Sequence, residues 1–343
     1  RILARRGDSQ RRWYPCGKNQ CETGETVHIK KAAIIGKGAV GLLYGSLIAR
    51  NIGPGAVEYV MDDDRLARHA EDALTINGSP CRIRTVGASI AAEEEPVDLL
   101  ILAIKATGLE QAFVTLESCV GPQTRIISLL NGITSEEAIA QRFGWENTVL
   151  SVAQGMDAVF IDNALTYTHP GEIRLGPAPA TAPGVVDQIA DFLARAGISH
   201  AIEADIRRRQ WVKFMLNVGL NQTCMVFGGT YGSIVAPGEQ NRRFIAAMRE
   251  AIAVARAEGV DLDEDDLLQM VSMVESLDPA GMPSMAQDRI NRKRSEVDQF
   301  AGTVIRLADR HGILVPQNRY LYSRVAQIEA AYMDELDEGL RWE

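Results

Sequence analysis

Apolar and polar positions follow two regimes along this chain. From about Ile29 to Ile202, short apolar runs alternate with amphipathic stretches, a pattern that predicts a parallel α/β sheet. Lys31-Ala-Ala-Ile-Ile35 reads as the first strand, followed by a helix from about Ala39 to Arg50, and Val57-Glu-Tyr-Val-Met61 reads as the second strand. Val97 to Ile104 is almost wholly apolar, as a strand is when helices cover both its faces. Thr124 to Leu130 gives another strand, which ends at Asn131-Gly132. Between Val149 and Leu175 the rhythm shortens to strand-like pieces with a turn at Pro170-Gly171.

From about Asp205 strand signals stop. Helical windows follow at roughly 205–227, 239–258, 262–277, 284–311 and 318–336, broken by Gly228-Gly229 and by Asp278 to Pro283. The predicted fold class is therefore α/β plus all-α: a Rossmann-like doubly wound sheet over 30–203, then an all-helical domain over 204–343. A length of 343 residues agrees with two cores rather than one. Residues 1–29 carry Arg1, Arg5, Arg6, Arg11, Arg12 and Lys18 without the apolar stretch of a secretory signal. They are expected to be a disordered or extraneous leader.

Charge and composition narrow the partners. A net charge of −9 argues against nucleic acid, which needs a basic face, and leaves room for a small anionic ligand. No apolar run reaches the roughly 18 residues of a membrane span, so no membrane partner is expected. Cys16, Cys21, Cys81, Cys119 and Cys224 are scattered without a CxxC pair, which reads as free thiols in a reducing cytoplasm. The histidines are isolated too, so no metal is expected.

Gly36-Lys37-Gly38-Ala39-Val40-Gly41 fits G-x-G-x-x-G, follows an apolar strand and opens a helix. That context points to a dinucleotide: Gly36 for the tight turn, Gly38 for close approach of the pyrophosphate, Gly41 for helix–strand packing. The helix N-terminus adds free N–H groups and a positive dipole end. The second strand runs into Asp62-Asp-Asp-Arg65, about twenty residues on, where an acid commonly holds the adenosine ribose hydroxyls. Asp62 there argues for NAD(H), although Arg65 or Arg68 is placed to grip a 2′-phosphate, and plain helix capping by the aspartates is the competing reading. Lys105 and Asn131 sit just past two strands, at the carboxyl edge where such sheets bind ligands. An ordinary loop residue is the alternative for each.

Lys213, Asn217 and Asn221 recur every four residues, on one stripe of a helix, among Phe214, Met215, Leu216, Val218 and Leu220. Buried, they require partners; a solvent-facing polar stripe is the equal alternative. Ser284, Gln287 and Asp288 form a second polar group, with Glu296 two to three turns further on, while Arg292 to Arg294 read as a solvated face.

Taken together, the glycine turn, Ile104-Lys105-Ala, Leu130-Asn131-Gly132, Trp211-Val-Lys213 with Asn217 and Asn221, Ser284-Met285 with Gln287 and Asp288, Glu296, and His311 to Pro316 resemble the ketopantoate reductase (2-dehydropantoate 2-reductase) family, over about 30–329. The resemblance implies NAD(P)H-dependent reduction of 2-dehydropantoate to (R)-pantoate, in pantothenate and coenzyme A biosynthesis in the cytoplasm. It implies Lys213 as catalytic proton donor, Glu296 as a supporting catalytic group that contacts the cofactor, and Asn217, Asn221 and Ser284 as substrate ligands. Lys105 and Asn131 become cofactor contacts, with Ala158 near the nicotinamide end. NADP(H) is the family's usual cofactor, and a homodimer is compatible with the resemblance. Two departures stand out: Asp62 replaces the usual basic residue, and a further asparagine is missing, with Tyr231 near its place. They keep open an NAD-dependent D-2-hydroxy acid dehydrogenase of the mandelate type acting on another branched or aromatic 2-oxo acid. A non-catalytic NAD(P)-sensing protein is a further reading, against which the retained Lys213 speaks.

Overall fold

The computed structural model describes residues 28–70 and 72–340, so residues 1–27 of the expected leader, with Cys16 and Cys21, lie outside the described residues, while Ile29 at its end is buried in an apolar cluster of the sheet. Eight strands form one sheet in the order His200–Ile202, Pro170–Pro177, Thr148–Met156, Arg125–Ser128, Leu99–Leu102, Ala32–Ile35, Val57–Met61, Thr85–Gly87. The strands from Thr148–Met156 to Thr85–Gly87 pair in parallel. Side chains of successive residues go to opposite faces, and both faces are covered: Ala32, Ile34, Leu99 and Ile101 join one apolar cluster, Ala33, Ile35, Leu100 and Leu102 another. That double burial explains why these strands read as unbroken apolar runs.

The parallel order is broken at one place, in the stretch where the rhythm shortens. Thr148–Met156 and Pro170–Pro177 pair antiparallel, Ala153 opposite Ile173. The chain between them adds two short strands, Val159–Ile161 and Ala164–Thr166, to a small separate sheet, so it reverses without a crossover helix. Pro170 is the first residue of a strand rather than part of a turn, a position where its missing N–H is tolerated.

Among the described residues no strand follows Ile202. The Ile206–Phe227 helix is the axis of the second half. Asp205 caps it by accepting from the Arg208 N–H, and Gly228, left-handed at φ 63°, ends it. It packs against the helices Glu239–Ala257, Ser284–Ile290 and Pro316–Leu340, and on its other side against the strands Thr148–Met156 and Pro170–Pro177. A third apolar cluster, including Phe214, Phe244, Met248 and Phe300, fills this half.

The single helix expected over 284–311 is also corrected. Ser284–Ile290 stops, Arg292 takes a left-handed φ of 50°, and a π-helical turn at Asp298–Gly302 leads into the Thr303–His311 helix. Ties to the last helix impose the break: Glu329 Oε1 accepts from the Ser295 N–H at 2.8 Å, and Tyr332 Oη donates to the Lys293 carbonyl at 2.6 Å. Single π turns of this kind recur at functional sites. A short helix at Tyr231–Val235, which the pattern did not reveal, fills the gap after Gly229.

Candidate active site

The glycine turn heads a cleft of about 700 Å³, whose walls include Asp62, Arg65, Lys105, Asn131, Ser284 and Glu296. Gly36 lies at φ +115°, and a Cβ there would come within 2.4 Å of the Ala103 carbonyl oxygen on the neighbouring strand's end. A Cβ on Gly41 would stand 1.9 Å from the Gly36 carbonyl oxygen, so that glycine lets the helix seat on its own turn. Gly38 differs: a Cβ there meets nothing within 4 Å, and its space opens to the cleft. Gly38 is also the N-cap of the Ala39–Asn51 helix, with no side chain capping it. The first-turn N–H groups, at Ala39 and Val40 on the cleft wall, therefore remain for a ligand anion. These residues fit the pyrophosphate of a dinucleotide.

Asp62 is a helix cap that also stands on the cleft wall. Its Oδ1 accepts from the Arg65 N–H at 2.7 Å as a helix cap, and the residue still lines the cleft. Lys37 lines the cleft with its backbone turn, but its amine donates to Thr85 Oγ1 at 3.3 Å and lies over the Tyr59 ring. Lys105 reaches across to the helical half, where its amine pairs with Asp288 Oδ1 at 2.7 Å.

Deeper in, the polar residues form one connected set. The Lys213 amine donates to Asn131 Oδ1 at 3.0 Å and to the Ala153 carbonyl at 2.7 Å. Asn131 Nδ2 in turn donates to Glu296 Oε2 at 3.3 Å, and Glu296 Oε1 accepts from the Ala106 N–H at 3.2 Å. Glu296 thus spans from the sheet loop that follows Leu99–Leu102 to the residue that holds the lysine. Lys213 and Asn217 line a narrow slot that shares Leu130 with the large cleft. Burial pushes the Lys213 amine down to about 8, against the pull of the Glu296 and Glu136 carboxylates in the other direction.

Asn221 is buried, and its position is fixed by three bonds. Its Nδ2 donates to Asn217 Oδ1 at 3.2 Å, while its Oδ1 accepts from Ser284 Oγ at 3.0 Å and from the Met285 N–H at 3.3 Å. The stripe is therefore inward-facing, and each member has a partner. With its amide occupied, Asn221 orients Asn217 and Ser284, which stand nearer the open space.

One residue is not brought to the site. Ala158 lies beyond the end of Thr148–Met156, outside the linings of both cleft and slot, and packs against the apolar cluster on one face of the sheet. The strand itself supplies a different backbone group, the Ala153 carbonyl, which accepts from the Lys213 amine. The sequence reading also missed Glu136 and Gln210, which are buried behind the lysine, and gave no partner to Asp288. Gln210 precedes Lys213 by three residues on the same stripe, so helical spacing was a usable signal for it. Glu136 looks like any first-turn acid, and a backbone carbonyl leaves no mark in sequence.

Two family models cover most of the chain: Ketopantoate reductase PanE/ApbA over residues 32–180, and Ketopantoate reductase PanE/ApbA C terminal over 205–329. The chain belongs to the ketopantoate reductase family. This is a family of NAD(P)-dependent oxidoreductases acting on CH–OH groups. The 2-dehydropantoate 2-reductase of Streptococcus pyogenes serotype M6 is 25% identical over 303 residues, covering 87% of this chain and 97% of that protein. A PanE/ApbA family ketopantoate reductase from Ralstonia eutropha JMP134 superposes with a TM-score of 0.75 at 26% identity, covering 88% and 99% of the two chains. D-mandelate dehydrogenase, solved with NADH and anilino(oxo)acetate, shares the fold with a TM-score of 0.78 at 23% identity, covering 88% and 98%. Among the described residues no cluster of His, Cys, Asp and Glu suits a metal ion, and no helix is long and apolar enough to cross a membrane.

Proposed function

We propose that this chain reduces 2-dehydropantoate to (R)-pantoate with a nicotinamide cofactor, as a cytoplasmic step toward pantothenate and coenzyme A. The observation that carries the reading is the Lys213 amine, linked through Asn131 to Glu296 on the wall of the cleft that the Gly36–Gly41 turn heads. The relatives that bear the name 2-dehydropantoate 2-reductase, matched over nearly their full length, support the substrate. In this reading residues 30–203 form the dinucleotide domain and 204–343 the substrate domain, with Gly36 to Gly41, Lys105 and Asn131 facing the cofactor.

Bound in the cleft, the cofactor would supply a hydride to the keto carbon. The protein's part is to orient the acid and handle charge on the oxygen. Lys213 has three N–H bonds and, among the described residues, two acceptors, which leaves one for the keto oxygen. As negative charge builds on that oxygen, the ammonium stabilises it and then donates the proton. Asn217 and Ser284, held by Asn221, position the substrate carboxylate. Glu296 orients Asn131 and keeps the ammonium charged.

The sign of the pH dependence follows. Burial disfavours the ammonium, so the acid form of Lys213 is lost as pH rises through about 8 rather than at the ordinary lysine value of 10.5. Reduction should be flat below that point and fall about tenfold per pH unit above it, while oxidation of the hydroxy acid should rise through the same midpoint. A reduction rate that holds level to pH 10 would remove Lys213 from the proton transfer.

Asp62 on the cleft wall favours a second reading, an NADH-dependent reductase of another 2-oxo acid, in line with the D-mandelate dehydrogenase fold relative. A steady-state screen of 2-dehydropantoate and phenylglyoxylate with both cofactors separates the two. Turnover of phenylglyoxylate alone would replace the first reading with the second. Asp62→Ser retains a capping side chain and removes the charge, so NADPH affinity relative to NADH should improve about tenfold. A fluorescence titration giving an unchanged ratio would place the adenosine ribose away from Asp62.

A further inference from the structure

Behind the lysine lies a second acid that the proposed mechanism does not use. Glu136 is in the first turn of the Ser135–Phe143 helix and only 4% exposed. Three donors converge on it: Ser135 Oγ on Oε2 at 2.8 Å, and on Oε1 the Ser151 N–H at 3.3 Å and Gln210 Nε2 at 2.7 Å. Ser135 is backed by Ser128 Oγ at 2.8 Å, and Ser151 Oγ donates to the Ser128 carbonyl at 2.6 Å. Gln210 sits one turn before Lys213 on the central helix. Ser151 sits two residues before Ala153, on the strand whose carbonyl accepts from the lysine. The carboxylate thus ties together the two elements that hold the amine.

We propose that Glu136 is a positioning residue that places a buried negative charge behind Lys213 and fixes the strand and helix between which the amine is held. The inference rests on the reading of Lys213 as proton donor. Three donors on one carboxyl, at the positive end of a helix, are the surroundings of an anion. Burial acts the other way and pushes this carboxyl above the ordinary carboxylate range. Among the described residues, the charged groups acting on Lys213 are Glu296, from the loop before the π turn, and Glu136; Asn131 and the Ala153 carbonyl are neutral. Glu296 contacts the cleft, whereas Glu136 does not, so Glu136 sets the charge state of the amine without touching a ligand.

Competitive acetylation of the ligand-free protein with acetic anhydride across pH, read by peptide mass spectrometry, titrates the Lys213 amine without any substrate. Glu136→Gln is close in shape: its oxygen can face Ser151 and Gln210, and its NH2 can donate to Ser135. Removing the charge should lower the midpoint of Lys213 by about one unit, leaving roughly a tenth of the ammonium at high pH. Gln210→Met cuts the tie to the helix but keeps the acid, and should leave the midpoint within about 0.3 units, a margin far below that of a close charge. An unmoved midpoint in Glu136→Gln, or equal shifts in both variants, overturns the proposal. The reduction rate is measured in parallel. A labelling shift with no turnover of any 2-oxo acid in the unaltered protein would sink the proposed function while leaving this inference standing.

Discussion

Lys213→Ala should lower kcat for 2-oxo acid reduction by about two to four orders of magnitude, with NADH or NADPH affinity changed less than about threefold. Proton donation and stabilisation of the developing oxyanion both depend on the one amine, and among the described residues no other ammonium is bonded to Asn131 and Ala153. Truncation also strips the Ala153 carbonyl of its donor, at a cost of about 1–3 kcal/mol for an unpaired buried acceptor. A stability loss alone would lower the amount of active enzyme rather than its rate, so kcat is to be normalised to cofactor-binding sites. Lys213→Arg refines the test. Arginine retains a donor and the positive charge but does not release its proton in this pH range. It should restore less than about a tenth of the lost rate, since general acid catalysis contributes most of the effect. Unaltered turnover in Lys213→Ala with intact cofactor binding would mean that the proton comes from elsewhere.

Much of this site was legible because its signals are local. The Gly36–Gly41 turn needs only a strand before it and a helix after it, and doubly buried strands such as Leu99–Leu102 advertise themselves as apolar runs. Helical spacing put Lys213, Asn217 and Asn221 on one stripe but left it equally open to solvent until the resemblance was weighed, and the ends of two apolar runs placed Lys105 and Asn131. What stayed hidden depends on contacts between distant segments. The break after Ile290 has no glycine or proline to announce it, and Asn-Arg-Lys-Arg-Ser reads as a polar helix face. Glu329 and Tyr332, more than thirty residues on, bond to that segment at Ser295 and Lys293. The antiparallel pair was obscured because Pro170 resembles a turn signal even when it starts a strand. The three-residue edge strand Thr85–Gly87 is too short to show a period. Ala158 was placed by resemblance alone, and the strand that carries Ala153 runs past the cleft before the chain reaches residue 158. Glu136 shows the general difficulty: a helix N-terminal acid is ordinarily solvated, and nothing in its neighbours signals that Ser151 and Gln210 will enclose it.

The glycine turn gives the second large effect, and its two kinds of glycine should separate cleanly. Gly41→Ala places a methyl 1.9 Å from the Gly36 carbonyl oxygen, a contact that only movement of the helix or the turn can relieve. Both elements are pinned, since the helix is buried against the sheet and Gly36 itself is crowded by Ala103. Gly41→Ala should therefore destabilise the fold by about 1–3 kcal/mol, as overpacking does, visible as a lower melting temperature without any ligand. Gly38→Ala has open space around the new methyl and a backbone φ of −88° that any residue adopts. It should melt close to the unaltered protein, with at most the small loss expected when alanine replaces glycine at an N-cap. Its cost should appear at the ligand instead. A methyl on the cleft side of the turn holds a pyrophosphate away from the helix N–H groups, and each charge-assisted bond lost is about 1.5–3 kcal/mol. That corresponds to roughly tenfold to hundredfold weaker binding of either nicotinamide dinucleotide, read by fluorescence titration. Undiminished affinity in Gly38→Ala would mean that the phosphates do not rest on this helix end, and the orientation assigned to the cofactor, with the reacting ring toward Lys213, would have to be reversed or abandoned.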